Sequence, residues 1–211
     1  MCEFCTEFSK DSGGRNSRII LDRDGFAVLP TVGCFVDGYV LIVPRDHAAS
    51  LASLPAAARS AALDLAEEVR GQLQNVYGQY VLSEHGALNC DDTGAACCDH
   101  CHVHLIPMGE LTSKVVEYYW KTGGQPEYCG GPAGFESYTA RSYVMVSTEP
   151  GRYSLWPADR FERQFVRKVC AGLLGKGDLF NWREHPFTAA MKRTKQACDR
   201  LLAAKPEQAI A

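Results

Sequence analysis

The residues best suited to chemistry lie at 97–107, in the stretch CCDHCHVHLIP. Half of the chain's 6 histidines stand here at every second position: His100, His102 and His104. Side chains on a β-strand alternate between its two faces, so a strand would project the three imidazoles from one face. The cysteine, valine and leucine that alternate with them would point into a core. The spacing therefore predicts a strand with a row of imidazoles on one side.

A row of imidazoles fits two chemistries. Histidine and cysteine are the usual zinc ligands, which favours a metal site. A neutral imidazole is also a competent nucleophile near pH 7 when one nitrogen is oriented by a hydrogen bond, which favours a catalytic strand that handles phosphate. Polar pairing on a solvated face is a third interpretation, although the apolar LIP that follows is unusual for an exposed face.

A second group of candidate ligands lies at the N-terminus, where Cys2 and Cys5 form a C-x-x-C in CEFC. This motif is a moderate zinc signal, and the alternative is a pair of buried thiols. Cys98 and Cys101, in CDHC, could complete a four-cysteine site. Strand geometry opposes this set, because residues three apart on a strand face opposite sides.

The elements that must position these residues differ between the two halves of the chain. In the first half, SRIIL, FAVLP and YVLIVP are short strand-like runs separated by Asp-Gly turn signals. Helical apolar spacing from Ser50 to about Tyr77 predicts one long helix, and QYVLSEH then predicts another strand before the histidines. Residues 1–110 are therefore predicted to form an α+β unit, a mostly antiparallel sheet with one long helix.

The second half, residues 111–211, is predicted to be an extension or a lid subdomain. KTGGQPEYCGGPAGFES is rich in Gly and Pro and indicates a surface loop. SYVMVST and YSLWP, separated by EPGR, predict a hairpin, and two helices follow at about Asp159–Leu174 and Thr188–Ala204. Because the histidines and candidate ligands all precede residue 105, we expect this half to govern substrate choice rather than chemistry.

Composition narrows the possible partners. The 211 residues carry a formal net charge of −3 and no Lys/Arg run, so we expect no nucleic-acid partner. No window approaches the about 18 apolar residues of a membrane span, so we expect no membrane partner. The N-terminus is polar and acidic where a secretory signal would be basic and then apolar. These features predict a cytoplasmic protein whose 10 cysteines are mostly reduced.

The residues also carry a resemblance to a known family. HCHVHLI resembles the signature of the histidine triad (HIT) nucleotide-binding proteins, apart from Cys101 at its first apolar position. Residues 19–47 resemble the family's three entry strands and end in a Pro-basic-x-His segment at Pro44 and His47. The resemblance covers residues 1–108 and implies a HIT-like antiparallel sheet and a nucleotide-containing small molecule as ligand. It also implies a possible homodimer through the long helix, unless the additional residues cover that surface.

The resemblance implies catalytic roles for two histidines. His102 would attack the α-phosphorus of a nucleotide and form a covalent nucleotidyl-histidine, and His104 would bind phosphate oxygens and polarise the leaving group. Transferases of the superfamily carry Gln at the third position, so His104 favours a nucleotidyl hydrolase acting on a phosphoramidate, mixed anhydride or dinucleoside polyphosphate. A nucleotidyltransferase or phosphorylase, and a non-catalytic zinc-stabilised nucleotide-binding protein, remain alternatives.

The resemblance also implies a metal set and a substrate pocket. Relatives with an N-terminal C-x-x-C hold zinc with residues equivalent to Cys2, Cys5, His47 and His100, a closed four-ligand set typical of structural zinc. Asn89 falls where relatives have an asparagine that contacts the phosphate side, with Glu84 or His85 as an alternative. Cys97 occupies the place where many relatives carry a serine near the leaving group. Leu29 and Val32 are predicted walls for the base. Thr31 replaces the acid that holds the ribose, and a hydroxyl cannot accept two hydrogen bonds as a carboxylate does.

Residues of the second half could reach this pocket. Trp182 could stack on a base, and one of the arginines near it could meet phosphate. The candidates come from FERQFVRK and FNWREHPF: Arg163, Arg167, Trp182, Arg183 and His185. The competing interpretation is helix-surface charge and an aromatic residue that packs the subdomain.

Overall fold

An eight-stranded antiparallel sheet is the frame of the computed structural model, which describes residues 2–10, 17–89, 91–92, 94–96, 98–186 and 188–203. The strands are β1 (Leu21–Arg23), β2 (Phe26–Pro30), β3 (Val40–Pro44), β4 (Tyr80–Gly86), β5 (Val103–Pro107), β6 (Tyr128–Gly130), β7 (Tyr143–Glu149) and β8 (Arg152–Pro157). Their order across the sheet is β1-β2-β3-β5-β4-β7-β8-β6. The predicted α+β class and antiparallel sheet are confirmed.

The histidine strand β5 lies in the interior of this sheet, between β3 and β4. His104 pairs with Leu41 on one side and with Ser83 on the other. The regular strand begins only at Val103, so His100 and His102 lie in the segment that leads into it. The backbone of that segment is also tied to its surroundings, because the Cys101 amide donates to the carbonyl of Ala48.

In the part of the chain that the structure describes, five α-helices accompany the sheet. They are α1 (Glu3–Lys10), α2 (Ala56–Tyr77), α3 (Thr112–Gly123), α4 (Phe165–Leu173) and α5 (Thr188–Ala203). The predicted long helix is confirmed as α2, but it starts at Ala56 because Pro55 disfavours helical geometry at the residue before it. Leu51–Ser53 forms a separate 3₁₀ turn instead. Within the described ranges, no helix has the length and apolar content to cross a membrane.

Strand alternation divides the interior into two cores. On β2, Ala27 and Leu29 face the same core as Phe4 of α1 and Val166 of α4. Val28, on the opposite face, packs with the apolar side of α2 and with Cys198 of α5. Helix α5 packs against α2 and β2. The helices α1 and α4 and the tyrosine-bearing α3 therefore cover the face of the sheet toward which His102 and His104 point.

The second half departs from its prediction in two places. The predicted hairpin is confirmed as β7 and β8, and α5 begins as predicted at Thr188. The glycine-rich stretch is not a plain surface loop, because it contains β6 and a 3₁₀ helix at Pro132–Tyr138. The missing Cβ of Gly134 lets the Tyr128 ring approach the backbone, since a Cβ there would lie 2.0 Å from that ring.

The helix predicted to start at Asp159 starts later, at Phe165. Gln164, immediately before it, has a left-handed backbone with φ of 60°, which interrupts a right-handed helix at that residue. Strands β6, β7 and β8 join the same sheet as β1 to β5. The division into a HIT-like catalytic domain at residues 1–110 and an extension or lid subdomain at residues 111–211 remains a prediction.

Candidate active site and metal centre

The three imidazoles lie together in the interior, with exposed fractions of 1% for His100, 4% for His102 and 3% for His104. The ring centroids of His102 and His104 are 4.7 Å apart. Nδ1 of His102 donates to the backbone carbonyl of His100 at 2.7 Å. A neutral imidazole carries one proton, so this hydrogen bond leaves the lone pair of His102 on Nε2. The ring is held in the form that a nucleophile requires.

His104 is held from its other nitrogen. Its Nδ1 lies 2.7 Å from the hydroxyl of Tyr39, which is itself fully buried. Burial lowers the pKa of His104 well below its ordinary value, and the neighbouring charges of His102, His85 and Arg167 act in the same direction. His104 is therefore neutral at physiological pH, able to donate one hydrogen bond and to accept another.

A cavity of about 230 Å³ opens over His102 and His104. Its apolar walls come from Phe4 of α1, from Val32 and Leu41 of the first half, and from Trp182 of the second half. The Phe4 ring lies 5.7 Å from the His102 ring between centroids. A space of this size with aromatic and aliphatic walls suits a compact organic ligand.

Charged groups also line the cavity. Glu3 and Glu7 of α1 contribute carboxylates, and Arg18 and Arg167 contribute guanidinium groups. Arg18 pairs with Glu7 at 2.5 Å and donates to the carbonyl of Pro30 at 2.6 Å. This bridge fastens α1 to the end of β2, beside Thr31, which lines the same cavity.

Four predicted ligands converge next to the imidazole row. The donor atoms of Cys2, Cys5, His47 and His100 all lie within 4.8 Å of one another. Nδ1 of His100 is 3.2 Å from Sγ of Cys2 and 3.6 Å from Sγ of Cys5. Nδ1 of His47 is 3.4 Å from Sγ of Cys5. The chain thus brings together two thiols and two imidazoles that are far apart in sequence.

These separations fit a zinc ion. Zinc–sulfur bonds of about 2.3 Å and zinc–nitrogen bonds of about 2.0–2.1 Å place the corners of a tetrahedron about 3.4–3.8 Å apart. Nε2 of His100 lies 2.9 Å from the carbonyl of Pro44, so it donates there and turns Nδ1 toward the thiols, as metal-bound histidines usually do. Cys2, Cys5, His47 and His100 could therefore hold a structural zinc with all four positions filled.

Only some of the predicted substrate-binding residues lie at the cavity. Val32 lines the cavity. Leu29 is fully buried in the core below the same face. Asn89 is exposed in the loop after β4, where its Oδ1 accepts from the amides of Asp91 and Asp92 at 2.9 Å. Cys97 lies outside the described residues. The structure thus brings Val32 to the imidazoles but does not bring Asn89 to the described wall of the cavity, and a phosphate contact by Asn89 remains a prediction.

The alternatives to Asn89 lie on opposite faces of β4. Glu84 is buried below the sheet, where it accepts hydrogen bonds from Tyr143 and from the Leu51 amide. Burial raises the pKa of its carboxyl. His85 faces the imidazole row, with ring centroids 6.1 Å from His104, and accepts from the Val166 amide. Glu84 therefore stabilises the packing beneath the histidine strand, whereas His85 lies beside the imidazole row.

Sequence reasoning missed several residues of the site. Tyr39 and the helix that carries Phe4 were not predicted to belong to it, and Arg167 was one of several arginines for which surface charge was the favoured interpretation. Strand alternation would have indicated Tyr39, because it shares the face of Leu41, the partner of His104. An arginine in a helix gives no comparable signal, since most are exposed.

The solved structures to which the chain is similar in fold include histidine triad proteins. A hypothetical histidine triad nucleotide-binding protein from Sulfolobus tokodaii strain 7 is 16% identical, with 52% of this chain and 70% of that chain covered and a TM-score of 0.42. A zinc-bound histidine triad family protein from Mycobacterium smegmatis is 16% identical, with 50% and 73% covered and a TM-score of 0.41. A uridylyltransferase is 14% identical, with 78% and 77% covered and a TM-score of 0.33.

The family itself is shown by sequence. The family model of the HIT domain matches residues 13–111. This part of the chain is a HIT domain, and the resemblance first carried by HCHVHLI is confirmed. None of the curated proteins that were compared matches the chain by sequence.

Proposed function

We propose that the protein is a nucleotidyl hydrolase that works through a covalent nucleotidyl-histidine intermediate on His102. The observation that supports this most strongly is the hydrogen bond from Nδ1 of His102 to the carbonyl of His100. In the neutral imidazole it places the proton on Nδ1 and leaves the lone pair on Nε2, at the wall of a cavity. Orientation by a hydrogen bond and a neutral state near pH 7 are the two conditions for histidine to act as a nucleophile.

The reaction has two displacements at one phosphorus atom. In the first, Nε2 of His102 forms a bond to the α-phosphorus, and the bond to the leaving group breaks with its electron pair going to that group. His104 donates a hydrogen bond to the phosphate or leaving-group oxygen and stabilises the negative charge that develops there. In the second, water attacks the phosphorus, the phosphorus–nitrogen bond breaks and a nucleoside monophosphate is released.

The substrate class follows from the cavity. Val32, Leu41 and Trp182 offer apolar and aromatic surface to a base, and the guanidinium groups of Arg18 and Arg167 make part of the lining positively charged. Nucleoside phosphoramidates, mixed anhydrides and dinucleoside polyphosphates all place an α-phosphorus beside a leaving group. Glu7, which lines the cavity with Thr31, provides a carboxylate near the position where the resemblance leads us to expect one for the ribose.

Zinc would support this chemistry without taking part in it. Four protein ligands fill a tetrahedral site, so no position is left for substrate or water. The metal would join α1 to the segment that carries His100 and His102. It would thereby hold Phe4 against the nucleophile and keep one wall of the cavity in place.

Incubation with a panel of labelled nucleotide conjugates tests the proposal. Mass spectrometry is expected to find one nucleotidyl group on His102 and a nucleoside monophosphate as product. His102→Gly is expected to lose adduct and turnover while keeping its circular dichroism spectrum and melting temperature. His185→Ala, which changes a histidine outside the described wall of the cavity, is the matched control and should retain both.

Three outcomes would contradict the proposal. Turnover retained by His102→Gly would exclude the covalent route. A product that gains added phosphate or a sugar phosphate instead of water would identify a phosphorylase or transferase. Tight nucleotide binding with no adduct and no product from any conjugate would leave a binding protein.

A further inference from the structure

We propose that Arg167, in the second half of the chain, is a positioning residue for His104 and acts through Tyr39. Arg167 holds the Tyr39 hydroxyl so that this hydroxyl donates to Nδ1 of His104 and fixes the His104 proton on Nε2. This inference rests on the proposed function and deepens it, because it states which atom of His104 presents a proton to the substrate.

Arg167 is fixed on three sides. Its side chain belongs to α4 and is 2% exposed. Nε donates to the carbonyl of Phe180 at 2.7 Å, Nη2 donates to the carbonyl of Gly33 at 2.7 Å, and Nη1 donates to the hydroxyl of Tyr39 at 3.2 Å. A guanidinium group with three anchored nitrogens cannot rotate away from Tyr39 without losing buried hydrogen bonds.

Backbone packing keeps Arg167 in this position. A Cβ built on Gly33 would lie 2.3 Å from Nη2 of Arg167 and 2.4 Å from Cβ of Trp182. The turn after β2 therefore approaches the second half more closely than any residue with a side chain would allow. The guanidinium group also lies over the rings of Phe35 and Tyr39, at 5.2 and 5.4 Å from their centroids, where a cation is favourable.

The direction of the proton follows from these donors. Arginine only donates hydrogen bonds, so the oxygen of Tyr39 accepts from Arg167 and directs its own proton elsewhere. Nδ1 of His104 lies 2.7 Å away and is in position to accept it. An imidazole that accepts at Nδ1 carries its proton on Nε2. Burial and the neighbouring positive charge of Arg167 disfavour the doubly protonated form of His104, so the choice is between two neutral tautomers.

The two adjacent histidines therefore take opposite tautomers. His102 has its proton on Nδ1 and its lone pair on Nε2, as a nucleophile needs. His104 has its proton on Nε2, as a donor to a phosphate or leaving-group oxygen needs. In the other tautomer, His104 would present a lone pair to those oxygens and repel them. His102 and His104 have identical side chains, but one serves as a nucleophile and the other as a hydrogen-bond donor. Arg167 and Tyr39 make this difference possible because they fix the tautomer of His104.

Nitrogen-15 spectra of histidine-labelled protein test the inference without any substrate. In the unmodified protein, His104 is expected to show its proton on Nε2 and a hydrogen-bonded lone pair on Nδ1. In Tyr39→Phe, the signal of that hydrogen bond should disappear. In Arg167→Met, Tyr39 can donate or accept, so a second His104 tautomer should appear, and Arg167→Lys should largely restore the first. Tyr80→Phe is the matched control, because this buried hydroxyl donates to Gly38 and not to the histidines.

Kinetics supply the functional readout. Losing one buried hydrogen bond of this type should lower kcat about tenfold in Tyr39→Phe, with the His102 adduct still formed and Tyr80→Phe unaffected. If Arg167→Met does not fold, the spectra and kinetics of Tyr39→Phe still test the inference. A His104 proton on Nδ1 in the unmodified protein, or spectra unchanged in both Tyr39→Phe and Arg167→Met, would overturn the inference. The nitrogen-15 spectra report the His104 tautomer even if no conjugate is hydrolysed. Failure of the proposed function can therefore be distinguished from failure of the inference about Arg167.

Discussion

Removing zinc should release α1 from the active site, and the structure allows the size of the effect to be estimated. Helix α1 has 8 residues, and an isolated helix of that length is marginal in water. Ordering its backbone costs about 8–16 kcal/mol at roughly 1–2 kcal/mol per residue. Burial of Phe4 returns only about 1.5–3 kcal/mol. The Arg18–Glu7 ion pair also holds α1, but zinc binding, which contributes about 10–16 kcal/mol in small peptides, is the largest of these contributions.

The perturbation is the double substitution Cys2→Ser and Cys5→Ser. The central sheet has its own apolar cores on both faces, so the variant should remain folded while α1 detaches. Free zinc at about one hundred times its dissociation constant stabilises the native state by about 2.7 kcal/mol. For a chain of this length, losing this stabilisation in the double variant should lower Tm by about 5–10 °C.

Hydrogen exchange and elemental analysis together provide the assay. Purified protein is expected to contain one zinc per chain, and the amides of α1 should lose protection in the double variant while those of β5 keep theirs. Cys98→Ser is the control, because Cys98 belonged to the rival set of ligands and should not alter zinc content. Freshly purified protein without zinc, or protected α1 amides after the metal is removed, would refute the reasoning.

Three further predictions concern the site and the assembly. His104→Ala should slow turnover by about 10²–10³-fold while the nucleotidyl adduct on His102 stays detectable, and normal turnover would remove its role in stabilising charge. Trp182→Ala should raise KM roughly two- to tenfold, since a stacking contact contributes about 0.5–1.5 kcal/mol, and a variant that only melts earlier would make Trp182 a packing residue. Light scattering at low micromolar concentration is expected to show a homodimer, and a clean 23.2 kDa species would contradict this.

The sequence predicted the centre of the fold better than its edges. Alternation placed the imidazoles on one face and Cys101 in the opposite core, because a strand has only two faces and one was visibly apolar. It could not predict α1, whose eight residues are held by contacts made far away in sequence, such as Phe4 against the His100 ring at 5.4 Å. The zinc ligands were reached through family resemblance, since no spacing rule connects Cys2 to a histidine 98 residues later.

We expected the second half of the chain to govern only substrate choice, and the contacts of Arg167 indicate a further role in the chemistry. Trp182 and Arg167 both line the cavity, but their contacts differ in kind. Trp182 offers a surface to the ligand, so its loss should change KM. Arg167 reaches the imidazole of His104, for which we propose a catalytic role, through the hydroxyl of Tyr39, so the loss of that contact should change kcat. Because both residues pack on Gly33, Gly33→Ala should displace them together and combine the two effects in one variant, although neither His102 nor His104 is changed.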